Sequence, residues 1–68
     1  MEREWRLENS DNEYKFFLND KLVIHVYRSE GVWYGYVLGS EEVIRHKHLS
    51  YVLTNAEIEA TACGWIEK

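Results

Sequence analysis

The chain has 68 residues, no proline and one cysteine, and its 12 acids against 8 bases give a formal net charge of −4. A chain this short makes one domain and hides only about 60% of the surface that its unfolded form exposes. These values exclude an intramolecular disulfide, leave no composition typical of a linker, and weigh against general affinity for a phosphate backbone, which needs a cationic surface.

Period-two patterning fills the first two thirds of the chain. REWRLE (Arg3–Glu8) sets Trp5 and Leu7 opposite charged neighbours and predicts a strand. NSDN (Asn9–Asn12) is turn chemistry, and EYKFFL (Glu13–Leu18) predicts the second strand. Asn19-Asp20 suits a two-residue turn, since both residues tolerate positive φ. KLVIHVYR (Lys21–Arg28) is the third strand and the richest in β-branched residues. SEG (Ser29–Gly31) predicts a type I turn closed by a left-handed glycine. VWYGYVL (Val32–Leu38) is the fourth strand, Gly39-Ser40 turns again, and EVIRHK (Glu42–Lys47) is a short fifth.

The period then changes. Thr54 and Glu57 have the spacing of a capping box, and Leu53 and Ile58 that of a hydrophobic staple. Ile58, Thr61, Ala62, Trp65 and Ile66 follow as one helical stripe, with Glu57 and Glu59 near the positive end of the helix dipole. The pattern predicts a helix over 55–67, with Gly64 inside it and off the stripe. The predicted fold class is α+β, a single domain over 1–68: an antiparallel meander of four to five strands within 3–47, with one C-terminal helix packed on one face.

Turn lengths set registers, and registers set faces. The turns above pair Phe17 with Leu22, Ile24 with Tyr36, Val26 with Tyr34, and Tyr36 with Val43. That more aliphatic face is expected to lie under Ile58, Ala62, Trp65 and Ile66. The opposite face is then open and lined with rings: Tyr14, Phe16, His25, Tyr27 and Trp33, with Ile44 and His46. Gly35 interrupts the fourth strand there, opposite His25 and Ile44. Glycine inside a strand marks a bulge or a close approach. Either a neighbouring ring covers the gap, or a partner's group enters it.

Other constellations carry less. His46 and His48 form an H-x-H, and with His25 they supply imidazoles of the kind zinc takes. Nothing else of a ligand set accompanies them, so neither metal nor cofactor is expected. Cys63 lies on the flank of the helical stripe with no lysine or arginine within a turn except Lys68, which suits a core thiol more than a reactive one. A sheet with one helix has little room for a closed cleft, so no enzyme activity is expected. A single cysteine fits a reducing compartment, MEREWRLENS is charged from its second residue, and no apolar run approaches the about 20 residues that span a bilayer. A cytoplasmic protein without membrane contact is expected.

WYGYV (Trp33–Val37) and the T-x-A-E stretch within Thr54–Ala60 give the chain an outline that resembles small meander-plus-helix proteins of phages and prophages. It is similar in outline to the arm-binding N-terminal domains of phage integrases, a sheet followed by a helix that opens on threonine and an alanine-glutamate pair. Those domains are basic and read DNA with the sheet, whereas this chain is acidic. The resemblance implies a protein of mobile-element origin that binds and modulates a host protein. The expected function is a non-catalytic interaction module that docks a protein partner, or a second copy, through Tyr14, Phe16, His25, Tyr27, Trp33, Gly35, Ile44 and His46. The alternative is a nucleic-acid-binding sheet that uses the same rings with Arg28, Arg45 and Lys47, a mode that the net charge disfavours.

Overall fold

Strand patterning and turn chemistry produce the meander that the sequence implies. The computed structural model describes residues 3–67. Five strands, β1 (Trp5–Ser10), β2 (Glu13–Leu18), β3 (Lys21–Ser29), β4 (Val32–Val37) and β5 (Val43–His46), lie side by side in chain order, each antiparallel to the next. One helix, α1 (Leu49–Ala62), packs on one face, which makes the fold α+β. Among the described residues no helix is long and apolar enough to cross a membrane.

Two details of turn and register decide which residues meet the helix. Asn19 and Asp20 form the expected two-residue turn, both left-handed at φ 49° and 66°. Ser29–Gly31 does not form the expected three-residue turn. Glu30 and Gly31 turn alone, at φ 52° and 78°, and Ser29 pairs with Val32. Two positive-φ central residues are the requirement of a type I′ turn, whose twist matches that of the strands it joins. The β3–β4 register therefore moves by one: Ile24 faces Val37 and Val26 faces Gly35, not Tyr36 and Tyr34. The second detail is a bulge. Phe17 faces Leu22 as expected, but Phe16 faces Ile24, which leaves Val23 unpaired. Two consecutive residues, Val23 and Ile24, are buried as a result.

A one-residue slip turns every later side chain to the other face. The two slips sit at opposite ends of β3, so they cancel for β2 and β4 and turn over β3 alone. Ile24 and Val26 thereby join Phe16, Trp33, Gly35, Val37 and Ile44, and His25 and Tyr27 go to the opposite side. This combined face, not the one carrying Tyr34 and Tyr36, takes the helix. Val26 and Val52 are fully buried, and Trp33 is 9% exposed.

The helix is also placed differently from expectation. It starts at Leu49, not residue 55, and its N-cap is His48, in an extended conformation without a side-chain cap bond. Thr54 sits exposed in mid-helix, so the T-x-x-E box does not open it. The stripe that packs is Leu49, Val52, Leu53, Ala56, Ala60 and Cys63. Burying Val52 alone stabilises by about 1.5–3 kcal/mol, more than the ~1 kcal/mol typical of a cap. Ile58, expected on the packed stripe, is 60% exposed.

Gly64 ends the helix. At φ 87° it is the left-handed residue of a Schellman motif: Trp65 N–H donates to the Ala60 carbonyl at 2.9 Å, and Gly64 N–H to the Thr61 carbonyl at 3.1 Å. Past it the chain folds back along the sheet end. Trp65 Nε1 donates to the Leu38 carbonyl at 2.6 Å, and the Trp65 carbonyl accepts from the Arg3 guanidinium.

Gly35 lies where α1 comes closest. A Cβ built there would stand 2.8 Å from Val52 Cγ1, nearer than side chains approach one another. The notch in β4 is filled neither by a ring nor by a partner's group, but by the chain's own helix. α1 lies over β4 with β3 and β5 alongside, and does not reach β1 or β2.

Candidate functional site

The eight residues expected to form one open aromatic surface do not do so. Tyr14, Phe16, Trp33, Gly35, Ile44 and His46 share a face, but it is the helix side, where Trp33 and Gly35 are buried and the other four half-buried. His25 and Tyr27 lie on the opposite, helix-free side because β3 is turned over. His25 faces Tyr36, not Gly35. It is thereby separated from His46 and His48. The His48 backbone N–H donates to His46 Nδ1 at 3.0 Å, and the His46 ring stacks on Tyr51 at 4.2 Å. Among the described residues no three of His, Cys, Asp and Glu are grouped to hold a metal ion. The bases of the nucleic-acid reading are likewise split. Arg28 pairs with Trp33 at the helix-side end of β3, Arg45 pairs with Tyr34 on the helix-free side, and Lys47 follows β5. Cys63 is half-buried at the end of α1, and Lys68 lies outside the described residues.

The helix-free face is still aromatic, with a different set of rings. Tyr27 and Tyr34 are direct cross-strand partners with ring centroids 5.4 Å apart, and Tyr36 stacks on Tyr27 at 5.8 Å with planes 3° from parallel. The Tyr27 and Tyr36 hydroxyls lie 3.3 Å apart. That neighbour, aided by partial burial, holds the Tyr27 phenol above the ordinary tyrosine range. Leu22, Leu38 and Val43 surround the ladder, each exposed by 38% or more.

Toward β1 the same face is charged, and its charges are matched. Arg6 reaches Asp20 at 2.7 Å and Glu8 at 3.2 Å, while its guanidinium covers the Phe17 ring at 4.5 Å. Glu13 meets Lys15 at 3.9 Å and the His25 Nε2 at 2.7 Å. The hydrogen bond from His25 is the main reason that the Glu13 carboxyl titrates below the usual glutamate range.

A second feature lies on the helix side, over the strands that α1 does not reach. A groove of about 350 Å³ runs between α1 and β1–β2, lined by Trp5, Phe16, Ile24, Leu53, Ala56 and Ile66, with Glu57 its one charged residue. Trp5 in its wall is 41% exposed, and Leu7 on the same strand is 49% exposed. Sequence reasoning passed over it, although geometry announces it: five strands at about 4.8 Å spacing are wider than one helix of about 10 Å. Comparison with protein-family models, curated proteins and solved structures finds no match for this chain.

Proposed function

We propose that this chain is a small non-catalytic interaction module that docks a partner protein through its helix-free sheet face. One observation carries the reading: the uncovered face of an antiparallel sheet presents a stacked Tyr27–Tyr34–Tyr36 ladder ringed by exposed Leu22, Leu38 and Val43. An open face ordinarily alternates to polar side chains. Tyrosine presents a large, stiff apolar body with a hydroxyl that water tolerates, and for that reason it is enriched at protein interfaces. Toward β1 the charges of the face favour a protein over a polyanion, since Arg6 and Lys15 already neutralise carboxylates beside them.

The test compares the chain with a Tyr34→Thr/Tyr36→Thr variant, which removes both rings and puts in a residue that also favours strands. Wild-type protein should retain a partner from extract of its source cells, and the purified partner should bind the variant at least tenfold more weakly. Equal binding by both overturns the reading. Retention of a single-stranded oligonucleotide that fades steeply between about 50 and about 200 mM salt replaces it with the nucleic-acid alternative.

A further inference from the structure

β5 forms one edge of the sheet, so one side of its backbone has no strand beside it. Which groups are left over follows from the β3–β4 turn. Ser29 and Val32 close a two-residue hairpin and therefore exchange hydrogen bonds, as do Tyr27 with Tyr34 and His25 with Tyr36 by the same alternation. Trp33 and Gly35 then bond to β5 through His46 and Ile44. The N–H and C=O groups of Val43 and Arg45 are left pointing outward. A groove of about 310 Å³ follows this edge, with Tyr51, Asn55 and Ile58 of α1 on its helix side. Val43, Tyr51 and Ile58 are all exposed there.

The charge along the edge selects what fits it. EEVIRHKH (41–48) is acidic where it enters β5 and basic where it leaves. Among the described residues, none of Glu41, Glu42, Arg45 and Lys47 makes an ion pair within the chain. Edges protected from pairing carry charge that repels a second strand. A strand with acids at one end and bases at the other does the reverse: laid antiparallel on a copy of itself, it meets opposite charge at both ends. β1, the other edge, lacks this feature, since Arg6 is already held by Glu8 and Asp20 of its own chain.

We propose that two copies of this chain pair β5 to β5, antiparallel, about a two-fold axis that crosses the sheet at Ile44. Val43 of each copy then lies opposite Arg45 of the other. These are the residues whose backbone groups point outward, so the leftover donors and acceptors satisfy one another. Glu41 and Glu42 of each copy come beside Lys47 and His46 of the other. Centring the pair on Arg45 would set that cation against itself, and centring it on Val43 would set Lys47 against Gly39.

The helices complete the contact. α1 runs antiparallel to β5, with Tyr51 stacked on His46 and Glu59 bonded to Ser40. The axis therefore brings Tyr51 of one copy toward Ile58 of the other. Each α1 lies over β4, so the two helices stand three strand spacings apart, about 14 Å. Short side chains would leave that seam open, whereas tyrosine and isoleucine span it. One contact covers the strand edge, the groove and the exposed flank of α1. The tyrosine ladders fall side by side on the opposite face, so the pairing stands independently of the function proposed above.

Sedimentation velocity from about 1 to about 500 µM, the span of weak specific association, should show the chain passing from monomer to dimer. Glu41→Lys/Glu42→Lys and Arg45→Glu/Lys47→Glu change only exposed residues. Each variant alone should keep the wild-type melting temperature and lose the dimer, and a mixture of the two should regain it. In a Cys63→Ser background, Val43→Cys and Arg45→Cys chains should form a disulfide-linked dimer when mixed. Oxidised separately they should not, because like positions lie too far apart to bridge. A chain that stays monomeric across that range overturns the proposal and leaves the edge to a foreign strand. So does a dimer that survives either charge variant alone, or a mixture of the cysteine chains that fails to cross-link.

Discussion

Trp33 and Tyr34 are neighbours in β4, yet they belong to two different structures. Trp33 lies on the side where α1 presses on the sheet, closely enough at Gly35 that a methyl group would collide with Val52. Tyr34 lies in a ladder of phenols that meets water. Both sides of the sheet hold rings, so ring content does not say which one a helix covers. The aliphatic partners do. Ile24, Val26 and Val37 are smooth, fully apolar and free of any hydroxyl needing a partner, and α1 takes the face that holds them. The contrast separates two kinds of aromatic surface, one that holds the fold together and one that the fold presents.

The sharpest way to break this contrast is to truncate each neighbour in turn. Trp33→Ala should cost about 3–5 kcal/mol, a large part of the roughly 3–10 kcal/mol that a domain of this size commands. Tyr34→Thr should cost less than about 1 kcal/mol, because a partly exposed cross-strand ring contributes little beyond its pair contacts. Urea midpoints read both, and equal losses would mean that the two sides are not distinct.

A smaller effect sharpens the helix side. Gly35→Ala should destabilise by about 1–3 kcal/mol through overpacking against Val52. In a Val52→Ala background the same change should cost clearly less, since the colliding methyl is gone. Strict additivity in that double-mutant cycle would remove close approach as the reason for the glycine.

The smallest effect belongs to the helix-free side. Glu13 titrates below the ordinary glutamate value of 4.5 because His25 hydrogen-bonds its carboxylate. Its stabilisation is present above that value and disappears as pH falls through the lowered folded one. Glu13→Gln should therefore flatten the acid limb of a melting-temperature profile slightly and leave the neutral region nearly unchanged. An acid limb identical to that of the wild type would show that the pair does not contribute.

Strand existence and order were legible from alternation, and the Asn19-Asp20 turn from residue type. Face assignment was not, for a local reason at each end of β3. Glu30 accepts a left-handed conformation that glutamate seldom adopts, and nothing in SEG distinguishes a two-residue from a three-residue turn. Val23 bulges within a run of apolar residues where any of several could be the extra one. The helix was seen, but its start was not. A tidy T-x-x-E pattern stood inside a longer stripe that begins at Leu49, and packing of that stripe on β4 outweighs a cap. Gly64, awkward inside a helix over 55–67, is simple as the residue that ends one. The tyrosine ladder of the candidate site was hidden by the same register slip, since turning over β3 exchanged His25 and Tyr27 for Ile24 and Val26.

The chain-order sheet also has a temporal consequence. Every strand bonds to the one made immediately before or after it, so each closure spans only a short loop and its entropic toll stays low. Hairpins of this kind assemble in about 1–10 µs, and local topology of this sort places folding toward the fast end for sheet-containing domains. During synthesis the ribosome delivers β1 through β5 before the segment that seals them. Until Ala62 has emerged, Val26 and Trp33 have no cover, and the sheet is at its stickiest just before α1 folds onto it.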